Sequence, residues 1–269
     1  MDEELRLLCS HVEDLCARAA KGVACSTAFL TPGQQRDLDD FLRRTGQTAR
    51  ARFYGGFVGA QRCCLLLFPD YAIDLCDAEP NSVAEIEQLL TICGEESPVC
   101  ALHLKGSGFC RLTHRDYLGS LLSLGLEREV LGDIELPDEH SAYLFCRSNM
   151  AAYIESALER VGGDKVTVRR VEIAPDFASF QKTQPLHDTV ASARLDCVVA
   201  ALANLSRDAA QQLIRDGRVE LDYKAEERVD RVVPTPAIIS VRGVGKFRVL
   251  SLGEQTKKGR YRLAAEKFV

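Results

Sequence analysis

The stretch that most constrains the fold is ARLDCVVAALANLSRDAAQQLIRDGRVELDYK, residues 193–224. Leu195, Val198, Val199 and Leu202 recur at helical spacing and share one face. Ser206 then holds an N-cap position, and Asp208 sits in the first turn, where a carboxylate complements the helix dipole. Gly217 supplies the left-handed residue that ends this second helix. RVELDYK continues as a strand. A charged turn, the strand IISVRG, and a hairpin running GKFRVLSL, GEQTKK, GRYRL complete the pattern. Residues 191–269 are therefore expected to form two short packed helices on a small curled sheet.

The segment upstream has a different rhythm. PVCALHLKG (98–106) reads as a strand. Thr113 caps a helix carrying Tyr117, Leu118, Leu121 and Leu122, which Gly125 ends. EVLGDIEL (129–136) and SAYLFC (141–146) are strands joined by a Pro-Asp turn. MAAYIESALERVGG (150–163) reads as one amphipathic helix with a glycine stop, and KVTVRRVEI (165–173) as a last strand. The order β-α-β-β-α-β is that of the ferredoxin-like split motif. RNA-recognition modules share it, as do many unrelated proteins, and the aromatic signature of such modules is missing from this chain.

At the start, Leu5, Leu8, Val12 and Leu15 mark a helix, Thr31-Pro32 opens another, and CCLLLF (63–68) reads as a buried strand. PDFASFQKTQPLHDTV (175–190) has two prolines and little periodicity. The expected class is α+β with three small domains. These are an N-terminal α+β domain over 1–75, a central ferredoxin-like, RRM-like domain over 76–175, and the helix-and-sheet unit over 191–269. Residues 176–190 are expected to be a linker.

Composition removes several functional classes. No apolar run reaches the length of a membrane span, and the acidic start MDEELRLLCSHVEDLC lacks the basic and apolar blocks of a signal peptide. A cytoplasmic protein is expected. The 11 cysteines include no C-x-x-C pair, and Cys63 and Cys64 are adjacent in an apolar run, so reduced cysteines packed as small hydrophobes are expected rather than a metal site. No phosphate loop, dinucleotide fingerprint, nucleophile elbow or H-E-x-x-H is present. His114 and Asp116, two apart on a helix, do not face each other, and Asp133 stands alone. No catalytic residue, metal or cofactor is expected.

Charge points to a polyanion. The formal net charge is -5, yet from Pro185 onward there are 15 Lys+Arg against 11 Asp+Glu, leaving 19 against 28 in the preceding residues. From Ser240 onward the count is 8 to 2. A basic face on an acidic body is an electrostatic footprint for nucleic acid. The helix start at Ser206 and Arg207 offers backbone N–H groups and a bidentate guanidinium to phosphate. Arg194 is expected to reach the same groove. Arg215 and Lys224 extend it. Arg242, Lys246 and Arg248 fall at even offsets, on one strand face, with Gly243 and Gly245 between. Lys257, Lys258 and Arg260 sit at a hairpin tip. The helix start and the basic strands are expected to face one side. Arg111, His114, Arg115 and Arg128 are secondary RNA-contact candidates in the central domain.

The pattern R-L-D, helix, S-R-x-x-A-x-x-L-I-x-x-G-x-V over 194–219 resembles the αL-motif RNA-binding domain named after the fourth protein of the small ribosomal subunit, here the S-four domain. SVRGVGKF and TKKGRYR, with FLTP (29–32), YGGFVGAQR (54–62) and HRDYLGSLLSLGLEREVLGDI (114–134), resemble the bacterial YlmH family along nearly the whole chain. Two positions depart from the family pattern. Asp222 stands where S-four domains often carry Asn, a carboxylate that would repel phosphate. Gln61 replaces the carboxylate of a Gly-Ala-Glu-Arg stretch. The resemblance implies a non-enzymatic cytoplasmic factor, and a monomer is expected. Its expected partners are the large ribosomal subunit, large-subunit rRNA and (peptidyl-)tRNA, in rescue or quality control of stalled translation, with no DNA or membrane partner. The alternatives are an RNA-modifying enzyme, such as a pseudouridine synthase or methyltransferase targeted by its S-four domain, and an interaction protein of cell division.

Overall fold

Caps and apolar stripes define the first elements. Helix α1 (Glu3–Ala20) buries Cys9, Val12, Leu15, Cys16 and Ala19 along one face. Strand β1 (Cys25–Leu30) follows. Helix α2 (Pro32–Thr45) starts with a capping box between Thr31 and Gln34, has proline in its first turn, and stops at the left-handed Gly46. Strands β2 (Ala51–Tyr54) and β3 (Cys63–Leu67) complete an antiparallel sheet in the order β1-β3-β2. The structure, a computed structural model, describes residues 3–80, 82–174, 176–256 and 259–269. They form two compact units, 1–180 and 181–269.

In the first unit β3 is buried on both faces. Leu65 and Leu67 pack with Val12, Leu38 and Leu42 of the two helices. Cys64 and Leu66 point the other way, into a core shared with Phe29, Phe57, Ile86, Leu89, Val99, Ala101 and Phe145. The continuous CCLLL run is thus the run of a strand covered on both sides. Helices α3 (Asp70–Leu75) and α4 (Val83–Cys93) join that second core. Six of the cysteines are buried, including Cys63 and Cys64.

The second sheet of this unit carries the split motif. Its elements are β4 (Val99–Gly106), α5 (His114–Ser123), β5 (Leu131–Glu135), β6 (Ser141–Arg147), α6 (Ala151–Ala157), β7 (Arg160–Val161) and β8 (Asp164–Val171). The order is β5-β6-β4-β8-β7, every neighbouring pair antiparallel, the ferredoxin-like arrangement with a short added edge. Leu102, Leu104, Leu144 and Cys146 face α5 and α6, against Tyr117, Leu121 and Ile154. The helix expected over 150–163 is shorter than expected. It ends at Ala157, and the chain turns at Gly162 (φ 56°) so that β7 pairs back onto β8. The buried Val161 joins the core from a strand rather than from a last helical turn.

Gly132 leaves room for Phe29 and Phe145 of the second core to pack against the β5 backbone. A Cβ there would lie 2.7 Å from Phe29 Cε1 and 3.1 Å from Phe145 Cβ. We expect Gly132→Ala to destabilise the protein by about 1–3 kcal/mol through overpacking, read as a lower urea midpoint at unchanged slope.

The second unit begins where the linker was expected. Residues 183–190 form strand β9 (Thr183–Val190), paired along its length with β14 (Tyr261–Phe268). As an edge strand it buries only Val190, so it shows no apolar alternation, and an edge tolerates Pro185. Helices α7 (Leu195–Ala203) and α8 (Arg207–Arg215) precede β10 (Val219–Leu221), β11 (Lys224–Ala225), β12 (Ala237–Val241) and β13 (Gly245–Gln255). The sheet order is β11-β10-β12-β13-β14-β9. Val198, Leu202, Ala210 and Ile214 pack on one sheet face against Ile239, Phe247, Val249 and Leu263.

Candidate nucleic-acid interface

The centre of the C-terminal unit is a buried carboxylate. Asp196, in the first turn of α7, is fully shielded from solvent. It accepts hydrogen bonds from Arg194 Nε (3.2 Å), Arg207 Nε (2.9 Å), Gln211 Nε2 (2.8 Å) and the Cys197 N–H (3.0 Å). Burial opposes its charge. The hydrogen bonds from Arg194, Gln211 and Arg207, with the charge of Arg207, outweigh that and hold the carboxyl down at about 2. Arg207 also places Nη2 2.9 Å from the same carboxylate. The fork expected for a phosphate is therefore turned onto Asp196. Arg194 and Arg207 are fixed in direction but keep 39% and 52% of their side-chain surface open to solvent. Ser206 acts as the expected N-cap, its hydroxyl accepting the Ala209 N–H at 3.2 Å.

Two shallow grooves collect the cations. One, lined by Thr189, Asn204, Leu205, Arg207 and Arg260, runs beside the α7–α8 junction. Arg260 is braced against β9, donating from Nε to the Thr189 hydroxyl at 2.9 Å and from Nη2 to the Thr189 carbonyl. The other groove, lined by Arg218, Glu220, Ser240, Arg242 and Lys246, lies at the β12–β13 turn. That turn runs through Gly243 (φ 85°) into Gly245 (φ 146°), and a Cβ on Gly243 would meet Arg218 Nη2 at 3.3 Å. The glycines thus serve both the turn and the close approach of Arg218, which donates to the Arg242 carbonyl at 3.1 Å.

The basic strands do not share a side with the helix start. Phe247 and Val249 of β13 point to the helices. By strand alternation Lys246 and Arg248 point away from them. There Lys246 Nζ lies 4.9 Å from the Tyr223 ring centre and 5.2 Å from that of Phe268. Arg248 stacks over Phe268 at 5.1 Å and pairs with Glu266 at 3.4 Å. Arg242 is exposed in the turn, off the strand. Arg215 is exposed at the end of α8, 3.5 Å from Gln211, and Lys224 is exposed on β11. Lys257 and Lys258 lie outside the described residues. Asp222, with Tyr223, makes the left-handed two-residue turn between β10 and β11 (φ 48° and 65°), its carboxylate accepting the Ile238 N–H at 2.8 Å.

Of the central candidates His114 and Arg128 lie near each other, and burial together with the charge of Arg128 lowers the pKa of His114. Arg111 pairs with Glu139 at 2.9 Å. His114 and Arg115 are exposed at the start of α5. Arg128 is half-buried, and burial lowers its pKa against the raising effect of Asp133 and Glu129. Asp133 itself anchors the YGGFVGAQR loop, accepting the backbone N–H groups of Gln61 (2.5 Å) and Arg62 (3.1 Å), while burial pushes its carboxyl up. Arg62 is buried and donates to the carbonyls of Leu131 and Arg128, both at 2.9 Å.

Sequence reasoning did not single out Arg218 or the joining role of Asp196. A basic residue just past a helix-ending glycine was the available signal for the first. For the second the signal was the Asp of the R-L-D pattern, although an Asp in a first helical turn taken alone reads as an ordinary dipole partner. Among the described residues no helix is long and apolar enough to cross a membrane, and no cluster of His, Cys, Asp and Glu is placed to hold a metal ion.

Comparison with known proteins bears out the family resemblance. Residues 101–175 match the family described as a putative RNA-binding domain in YlmH. The chain is 28% identical over 245 residues to ribosome-associated protein quality control protein P2 of Bacillus subtilis (strain 168), covering 90% of this chain and 86% of that one. Among solved structures it is similar to cell division protein ylmH from Streptococcus pneumoniae, with 19% identity and a TM-score of 0.47, over 64% of this chain and 93% of that one.

Proposed function

We propose that this chain, a YlmH-type protein, is a non-enzymatic RNA-binding factor of the ribosome. It acts on the large subunit carrying peptidyl-tRNA, in the quality control of stalled translation, and works as a monomer in the cytoplasm. The observation that carries the reading is the pair of cationic grooves on the C-terminal unit, one with Arg207 and Arg260, the other with Arg218, Arg242 and Lys246. The name of the Bacillus relative supports the ribosomal setting, and the central family match supports RNA as the ligand.

The mechanism is electrostatic clamping. Each groove sets guanidinium or ammonium groups on rigid backbone, and the hydrogen bonds of Asp196 and Thr189 pre-orient two of them. Such contacts follow the phosphate backbone and its shape rather than base edges.

The test is ultraviolet crosslinking in growing cells, followed by purification and sequencing of the attached RNA. Tags concentrated on large-subunit rRNA and tRNA are expected. A profile no different from background would sink the proposal, and a single site whose modification disappears on deleting the gene would make the protein an enzyme.

A further inference from the structure

The outer face of the central sheet, away from α5 and α6, is only half covered. Phe145, Val99 and Ala101 lie under Phe29 and Phe57. Beyond them the strand register sets one row across four strands: Glu135 opposite Tyr143, Tyr143 opposite His103, and His103 opposite Arg169. Directly opposed residues on antiparallel strands project from the same face. The next row brings Lys105 opposite Thr167. Tyr143 and His103 are partly exposed, and Arg169 and Lys105 are exposed.

The ring geometry is that of a stacking platform. The His103 and Tyr143 rings lie 5.0 Å apart, tilted by 32°. Phe180, reaching over the sheet from the segment after β8, is parallel to Tyr143 within 12° at 6.2 Å. Phe177 packs edge-on to both, at 5.3 and 5.4 Å. This segment is pinned by Glu135, which accepts the Phe180 N–H at 2.7 Å and the Ser179 hydroxyl at 2.9 Å. Phe180 nonetheless leaves 41% of its surface open. Aromatic rings packed against one another, one of them on a segment pinned by hydrogen bonds, beside two exposed cations, suit a ligand that is flat, aromatic and anionic.

We propose that this face holds a short run of unpaired nucleotides of the bound RNA. Their bases stack on Tyr143, His103 and Phe180, while Arg169 and Lys105 face the phosphates. The N-terminal cover over Phe145 restricts the run to the open half of the sheet. The proposal rests on the RNA-binding reading above and adds a second site in the other unit. It also accounts for the absent aromatic signature: one of the rings comes from outside the sheet, and another is an imidazole.

The experiment uses the full chain and a uridine decamer carrying 4-thiouridine, crosslinked at 365 nm on the order of minutes, with peptides mapped by mass spectrometry and affinity read by anisotropy. Crosslinks are expected on peptides containing Tyr143 or Phe180. Phe180→Ala and Arg169→Ala, both exposed positions, are each expected to weaken binding about fivefold or more. Tyr143→Phe, which keeps the ring, is expected to bind as the parent does. Crosslinks confined to residues 181–269, with unchanged affinity in Phe180→Ala and Arg169→Ala, would overturn this site and leave the C-terminal clamp standing. Crosslinks in neither unit would overturn both.

Discussion

Replacing Asp196 with alanine is expected to destabilise the C-terminal unit by about 2–3 kcal/mol, the cost of losing hydrogen bonds to a buried charge while Arg194 and Arg207 stay partly open to water. Four donors converge on this carboxylate: two guanidinium groups, an amide and a backbone N–H. Without it Arg194 and Arg207 repel one another, and the start of α8 loses its tie to α7. Thermal or urea unfolding followed by hydrogen exchange should show α7 and α8 losing protection first. Asp196→Asn separates charge from shape, since it keeps the volume and some acceptor capacity.

The pH dependence follows with a fixed sign. The carboxyl is depressed to about 2 from an ordinary 3.8. A depressed folded value means the stabilisation is complete above the unfolded value and disappears as pH falls through the folded one. The wild-type protein should therefore lose about 2 kcal/mol between roughly pH 4 and pH 2 from this group. Asp196→Asn should lose that component of the acid limb. An unchanged acid limb in the variant would show that Asp196 is not the group that titrates.

Arg242→Glu combined with Lys246→Glu is expected to lower affinity for single-stranded RNA about a hundredfold at low salt. The two side chains line one groove, Arg242 is exposed in a turn, and Lys246 is on the sheet face away from the core. The folded state also loses the contacts of Lys246 with the Tyr223 and Phe268 rings, each worth about 0.5–1 kcal/mol, so stability is measured alongside affinity. The neutral pair Arg242→Ala and Lys246→Ala gives the cleaner measurement. If each cation meets one phosphate, the slope of log affinity against log salt should become shallower by about 1.4. A parallel line with the parent slope would place both residues outside the interface. Arg218 is a poorer target, since its guanidinium also holds the Arg242 carbonyl.

Much of the architecture is legible in local pattern. The capping box at Thr31, the Ser206 cap, the left-handed Gly46 and the apolar stripe of α7 are each encoded within one helical turn or a few. The strand order of the central sheet follows from the sequence of periods, because split β-α-β units admit few arrangements. The basic character of the last strands is a matter of counting. So is the resemblance to S-four domains, carried by fixed offsets over 194–219.

What the tertiary structure decided are the pairings between distant residues. Thr183–Val190 looks irregular alone and becomes a strand only because β14 offers it a ladder. Val161 leaves the expected helix because the Gly162–Gly163 turn lets it pair with β8. Arg207 meets Asp196 rather than standing free at a helix start, and Arg260 reaches Thr189 from the far side of the chain. Lys246 and Arg248 are turned away from Arg207 because the alternate residues Phe247 and Val249 fill the core under the helices. Local sequence sets dihedral preferences and periodicity, which fix elements and their apolar faces. Which charged groups end up neighbours depends on how those faces close against each other, and packing is non-local.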